Sequence, residues 1–102
     1  MFVYKSVSNT VFDGVSIEKD DFFVVKDKIV TAVGKDPVEI VSTAVLKQNS
    51  DSVGNVVFYY GDSFSKSALD GIIKKISIEN KNIEFETYYG GQSKEELIIS
   101  LE

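Results

Sequence analysis

The apolar positions first change period after residue 35, and that change divides the chain. Residues 1–35 carry the signature of strands and turns. FVYKSV (2–7) is β-branched and aromatic, and VFDGVSI (11–17) holds Asp13-Gly14, a strong turn pair. DFFVV (21–25) and IVTAV (29–33) flank Lys26-Asp27-Lys28, the spacing of a tight hairpin. Asp20 and Asp27 fall where these turns need positive φ, which aspartate tolerates better than most residues.

From Asp36 the period becomes 3.6. Asp36-Pro37-Val38-Glu39 is a helix start, with a capping acid, proline at the first helical position and Glu39 completing a capping box. Val38, Val41, Ala44 and Val45 form its apolar stripe, and the helix fades near Gln48 into the loop chemistry of NSDSVG (49–54). NVVFYY (55–60) is apolar on both faces, as an inner strand would be. A second helix is predicted from Ser65 to Ile76, capped by Ser63 or Ser65, with Ala68, Leu69, Ile72, Ile73 and Ile76 on one stripe. Gly71 inside it costs about 1 kcal/mol relative to alanine and so points to close packing there. IEFETYY (83–89) alternates, with Ile83, Phe85 and Thr87 on one face. The last strand spans about 96–101, with Leu97, Ile99 and Leu101 together.

These elements predict an α+β fold in one domain, residues 1–102. Antiparallel hairpins come first, then α-β-α-β-β in a mixed sheet with two helices. Strand 55–60, helix 65–76 and strand 83–89 can form a βαβ unit. Tyr59-Tyr60-Gly61 and Tyr88-Tyr89-Gly90 would then end neighbouring parallel strands, the edge where open α/β sheets place binding crevices.

Composition removes much chemistry. The 102 residues include no cysteine and no histidine, so disulfides, thiolate metal sites and Ser–His or Cys–His nucleophiles are excluded. The net charge is −5, arginine is absent and the eleven lysines are scattered. That pattern offers no basic patch for nucleic acid and no attraction to an anionic membrane. No apolar run approaches the roughly 18 residues of a membrane span, and MFVYKS is not a signal peptide. A cytoplasmic protein, or a piece of one, is expected.

Three sets of residues remain as candidates. The double Tyr-Tyr-Gly edge with Gly91, Gln92 and Ser93 combines aromatic area, hydroxyls and small residues, a mixture suited to a partner surface. Core packing and chain turning account for each of these residues singly. The acids Asp20, Asp21, Asp62, Glu84, Glu86, Glu95 and Glu96 match no calcium loop, and a solvated face accounts for Glu84 and Glu86. YGDSFSKS (60–67) brings a glycine and hydroxyls to a helix N-terminus, where helix capping accounts for the same residues.

TYYGGQ (87–92) followed by LIISLE (97–102) resembles the C-terminal signature of bacterial dihydroxyacetone-kinase-like proteins of the YloV type. That group includes the kinase subunit of bacterial fatty acid kinase. FDGVSIEKDDFFVVKDKIV (12–30) and VFYYGDSFSKSALDGI (57–72) resemble further segments of the family, so the likeness covers nearly the whole chain. The chain departs from the family at Asp20 and Asp27, where glycine is usual. It departs again at Ser93-Lys94-Glu95-Glu96, where a proline and tyrosines usually follow.

The resemblance implies the C-terminal domain of a larger kinase-like protein, related to the second part of the DegV-like fold. ATP and magnesium would belong to a separate N-terminal domain, leaving this one without cofactor, metal or catalytic residues. Its implied role is to dock a fatty-acid-binding DegV-like partner. The docking surface expected is Tyr59, Tyr60, Gly61, Tyr88, Tyr89, Gly90, Gly91 and Gln92. The alternatives are a module that itself binds a small ligand or fatty acid, and a homodimerising module.

Overall fold

Local turn chemistry joins two pairs of strands that are consecutive in the chain. The computed structural model describes residues 1–48 and 54–102. Strands β2 (Thr10–Phe12) and β3 (Val15–Ile17) form a two-stranded hairpin. Asp13 and Gly14 turn it at φ 52° and 77°, and a two-residue loop with both φ positive matches the twist of the strands it joins. The same solution recurs between β4 (Phe22–Lys26) and β5 (Ile29–Gly34), where Asp27 and Lys28 have φ 52° and 68°. Asp20 is also left-handed, at φ 69°. The expected positive φ is therefore present at both aspartates. Lys28 is an addition that no short polar side chain announces.

β1 (Phe2–Lys5) pairs antiparallel with β4 on one side and with β8 (Leu97–Leu101) on the other. β8 in turn pairs antiparallel with β6 (Asn55–Tyr60), which runs parallel to β7 (Glu84–Tyr89). The main sheet thus has the order β5-β4-β1-β8-β6-β7. It is mixed, and β6 is an inner strand as its two apolar faces require.

Helix α1 (Pro37–Gln48) starts where Asp36 accepts a hydrogen bond from the Val38 amide at 3.0 Å. Its buried stripe is wider than expected. Ile40, Val41, Ser42, Ala44 and Val45 are buried and Val38 is partly so. The added width has a cause: α1 packs against α2 and also against β4 and β5. A Cβ on Gly34 would lie 2.7 Å from Ile40 Cγ2, so β5 and the helix meet closely there. Ser42 donates its hydroxyl back to the Val38 carbonyl at 2.6 Å, which satisfies it without a distant partner.

Helix α2 (Lys66–Glu79) is capped by Ser65, whose Oγ accepts from the Ala68 amide at 3.2 Å. It continues three residues past Ile76, because no breaker intervenes before Asn80, whose N–H closes the helix onto the Ile76 carbonyl. A Cβ at Gly71 would stand 3.3 Å from Val38 Cγ2, so glycine lets the two helices approach. The loop expected at 49–54 lies outside the described residues except for Gly54, which accepts from the Glu84 amide.

Both helices cover one face of the sheet. Val3, Val24, Val56, Phe58, Leu97 and Ile99 meet Val41, Ala44, Val45, Leu69, Ile72 and Ile76 in one core. The opposite face carries Phe2, Tyr4, Phe23, Val25, Tyr59, Tyr88 and Ile98 by strand alternation. The β2–β3 hairpin leans on that face through Phe12, whose ring centroid lies 6.1 Å from Phe23. No helix among the described residues is long and apolar enough to cross a membrane.

Candidate functional site

The two Tyr-Tyr-Gly segments are neighbours in space. β6 and β7 run parallel in a register that sets Tyr59 beside Tyr88 and Tyr60 beside Tyr89. Strand alternation then separates the two pairs. Tyr60 and Tyr89 lie on the helix-covered side, where Tyr60 packs against the core and Lys66 Nζ sits 5.7 Å from its ring centroid. Tyr59 and Tyr88 lie on the open side, their rings stacked at 5.8 Å and 26°. Tyr59, Tyr88 and Tyr89 are 38%, 49% and 61% exposed. The eight expected residues therefore form a rim around the strand ends rather than one flat patch.

Four of the eight have a local structural cause. Gly61 donates to the Glu96 carbonyl at 2.9 Å, and Asp62 to the Gln92 carbonyl at 3.0 Å. A Cβ on Gly61 would fall 2.5 Å from Glu95 O and 2.6 Å from Gln92 O. The 90–96 loop lies directly against this glycine. Gln92 Nε2 donates to the Tyr59 carbonyl at 2.9 Å, and its side chain fills the space a Cβ on Gly90 would need. Gly91 turns the loop at φ 72°. Gly61, Gly90 and Gln92 thus clasp the loop to the end of β6, and the tyrosines are what the rim presents to solvent.

The phenols of Tyr88 and Tyr89 each donate to a carboxylate. Tyr88 donates to Glu86 Oε1 at 2.8 Å, and Asn55 Nδ2 donates to Glu86 Oε2 at 2.8 Å. The bonds from Asn55 and Tyr88 lower the Glu86 pKa, and the Glu86 carboxylate raises that of Tyr88. Tyr89 donates to Asp62 Oδ1, and that carboxylate raises its pKa too. Phenolate chemistry at neutral pH is therefore opposed, and the rings offer contact area and hydroxyl donors.

The acidic candidates do not converge. Asp21 is buried, accepts from the Glu18 amide and pairs with Lys35 at 2.6 Å. Glu96 accepts from Ser63. Among the described residues no three His, Cys, Asp or Glu side chains gather as a metal site. In the 60–67 segment Ser65 caps the helix and Ser63 is taken by Glu96, so both hydroxyls already have protein partners.

A second feature has little sequence signal. Tyr4, Phe12, Phe23, Val25 and Lys94 line a shallow trough of about 290 Å³ on the open face. Tyr4 stacks on Phe23 at 5.3 Å. The one trace of it along the chain is that FVYK and FFVV are apolar on both faces, which a one-sided sheet does not need.

The C-terminal family of FakA-like fatty acid kinase subunits matches residues 2–102. The chain belongs to that family. Comparison with curated proteins finds no match. Family membership brings the chain into the context of fatty acid kinase. It also places the Tyr59–Tyr88 rim and the open face in a C-terminal domain of such subunits.

Proposed function

We propose that this domain is a non-catalytic docking module, which holds a fatty-acid-binding DegV-like protein so that its acyl carboxylate can reach a kinase site elsewhere for acyl phosphate formation. The observation that carries the reading is the Tyr59–Tyr88 stack. Two large amphipathic rings stand exposed on adjacent strands, and the strand that carries Tyr59 is backed by the buried Val56 and Phe58. Exposed aromatics on a rigid support lose little side-chain entropy on binding and serve as anchors. ATP and magnesium would act in a separate domain.

The test is a titration of the domain with a DegV-like fatty-acid-binding protein from the same source. Saturable binding is expected at roughly 50 micromolar or below, which corresponds to about −6 kcal/mol. Tyr59→Ala with Tyr88→Ala should weaken it about tenfold or more. Absence of binding in that range, or an unchanged affinity in the double variant, overturns the proposal.

A second reading draws on the trough. Its aromatic walls and the single cation of Lys94 would suit an apolar chain with an acidic head. A lipid retained by the purified domain in native mass spectrometry would favour that reading over docking.

A further inference from the structure

We propose that β7 is also a self-pairing edge: it adds antiparallel to β7 of a second copy, with the two-fold axis beside Thr87. This goes beyond the docking reading and stands on different observations.

β7 ends the six-stranded sheet. The Glu84 amide donates to Gly54 O and the Gly90 amide to Tyr60 O. Even-numbered residues therefore turn their peptide groups toward β6. By the two-residue period, Phe85, Thr87 and Tyr89 turn theirs outward along the rim of the sheet. Sheet edges are usually guarded by proline, lysine, a bulge or short length. β7 has no proline, lysine or bulge, and its only charges are Glu84 and Glu86: six residues, EFETYY, pair with β6 in unbroken register. The other edge differs, since a register shift between Val24 and Val25 marks a bulge in the β4–β5 ladder.

The side chains choose the occupant and the register. Directly opposed residues that exchange hydrogen bonds must both have outward peptide groups, so only odd-numbered residues can face one another in bonded pairs. Centring on Thr87 sets Phe85 opposite Tyr89, Thr87 opposite Thr87, and Glu86 opposite Tyr88 of the second copy. The Glu86–Tyr88 pair is a close, non-bonded one, where side chains meet. Tyr88 already donates to a Glu86 carboxylate within its own strand, so the seam exchanges an existing contact between copies. Shifting the register by one residue on each strand sets Glu86 against Glu86, a like-charge pair that opposes association. Shifting it the other way sets Tyr88 against Tyr88 and loses both Glu86–Tyr88 pairs, so the register centred on Thr87 is the one that makes them. Tyr59 lies one strand away from the seam and stays available to another partner.

The chain contains no cysteine, so single thiols report the register cleanly. Sedimentation of the unmodified chain from about 1 to 500 micromolar should show its mass rising toward twice 11.3 kDa. Thr87→Pro removes an outward N–H and spares the β6 ladder. It should weaken association about tenfold or more with an unchanged far-UV spectrum. Thr87→Cys should oxidise to a linked dimer, because bonded antiparallel pairs sit about 5.5 Å apart at Cα, within disulfide reach. Glu86→Cys should link poorly. A monomeric mass throughout the range overturns the proposal, as does association unaltered by Thr87→Pro in a folded variant. Faster linkage at Glu86→Cys than at Thr87→Cys also overturns it.

Discussion

The dipeptide Tyr-Tyr occurs twice and each copy is divided the same way, one ring to the helix side and one to the open side. On the helix side Tyr60 packs against the core and its neighbour Tyr89 is tied to Asp62. On the open side Tyr59 and Tyr88 stack on each other, with a Glu86–Asn55 network beneath Tyr88. The chemistry of the four rings is the same, so their difference comes from what lies across the sheet. Tyr60, packed against the core, contributes to stability, while Tyr89 on the same side stays 61% exposed beyond it. A ring on a face with no helix offers area to a partner.

Substitutions can widen or collapse that contrast. The largest effect should come from Phe58→Ala, because Phe58 is fully buried on the helix side. A loss of about 3–5 kcal/mol in denaturant unfolding is expected. Tyr59→Ala, one residue along and on the open side, should cost less than about 1 kcal/mol. Comparable losses at the two positions would erase the distinction between the faces.

Gly61→Ala should come next, since its Cβ would press on the backbone carbonyls of Gln92 and Glu95. A cost of about 1–3 kcal/mol is expected, with faster hydrogen exchange at the Gly61 and Asp62 amides, which hold the 90–96 loop. Unchanged exchange there would deny the clasp that presents the tyrosines.

A pH effect should appear away from the rim. The Lys35 ammonium, then the Glu18 amide, lowers the Asp21 pKa, and Asp21 raises that of Lys35. A lowered carboxyl pKa stabilises the fold fully above the unfolded value of about 3.9, and the stabilisation is lost as pH falls through the folded value. The raised lysine stabilises below about 10.4 and loses that contribution as pH rises through its folded value. Asp21→Asn should flatten both limbs of the Tm profile. A profile identical to the parent's would remove the pair from the account of stability.

The smallest effect is spectroscopic. Tyr88 should titrate above the usual tyrosine value of about 10, and Glu86→Gln should bring it back toward that value, as seen by ultraviolet difference absorbance. An unmoved titration would mean that the Glu86 contact is absent in solution.

Much of the fold was legible because its causes are local. Asp13-Gly14 and Asp27 mark their own turns, Asp36-Pro37 and Ser65 mark helix starts, and the stripe from Leu69 to Ile76 marks a buried face. The βαβ pairing of β6 with β7 was legible too, from a short helix between two strands. Of the candidate site, the adjacency of the two tyrosine pairs and the placing of neighbouring tyrosines on opposite faces could be read, and which face the helices cover could not. Gly61, Gly90 and Gln92 looked like surface residues, and their tight packing depends on a loop distant in sequence folding back on β6.

By itself the sequence determined the elements, the turns, the family and the neighbourhood of the tyrosines. Those follow from residue conformation, periodicity and motif order along the chain. Tertiary structure alone decided that β8 enters between β1 and β6, that Asp21 is buried with Lys35, that Ile40 and Ser42 join the core, and which tyrosine faces outward. Each depends on which distant surface arrives to cover a given face, and that is settled only when the whole sheet and both helices pack together.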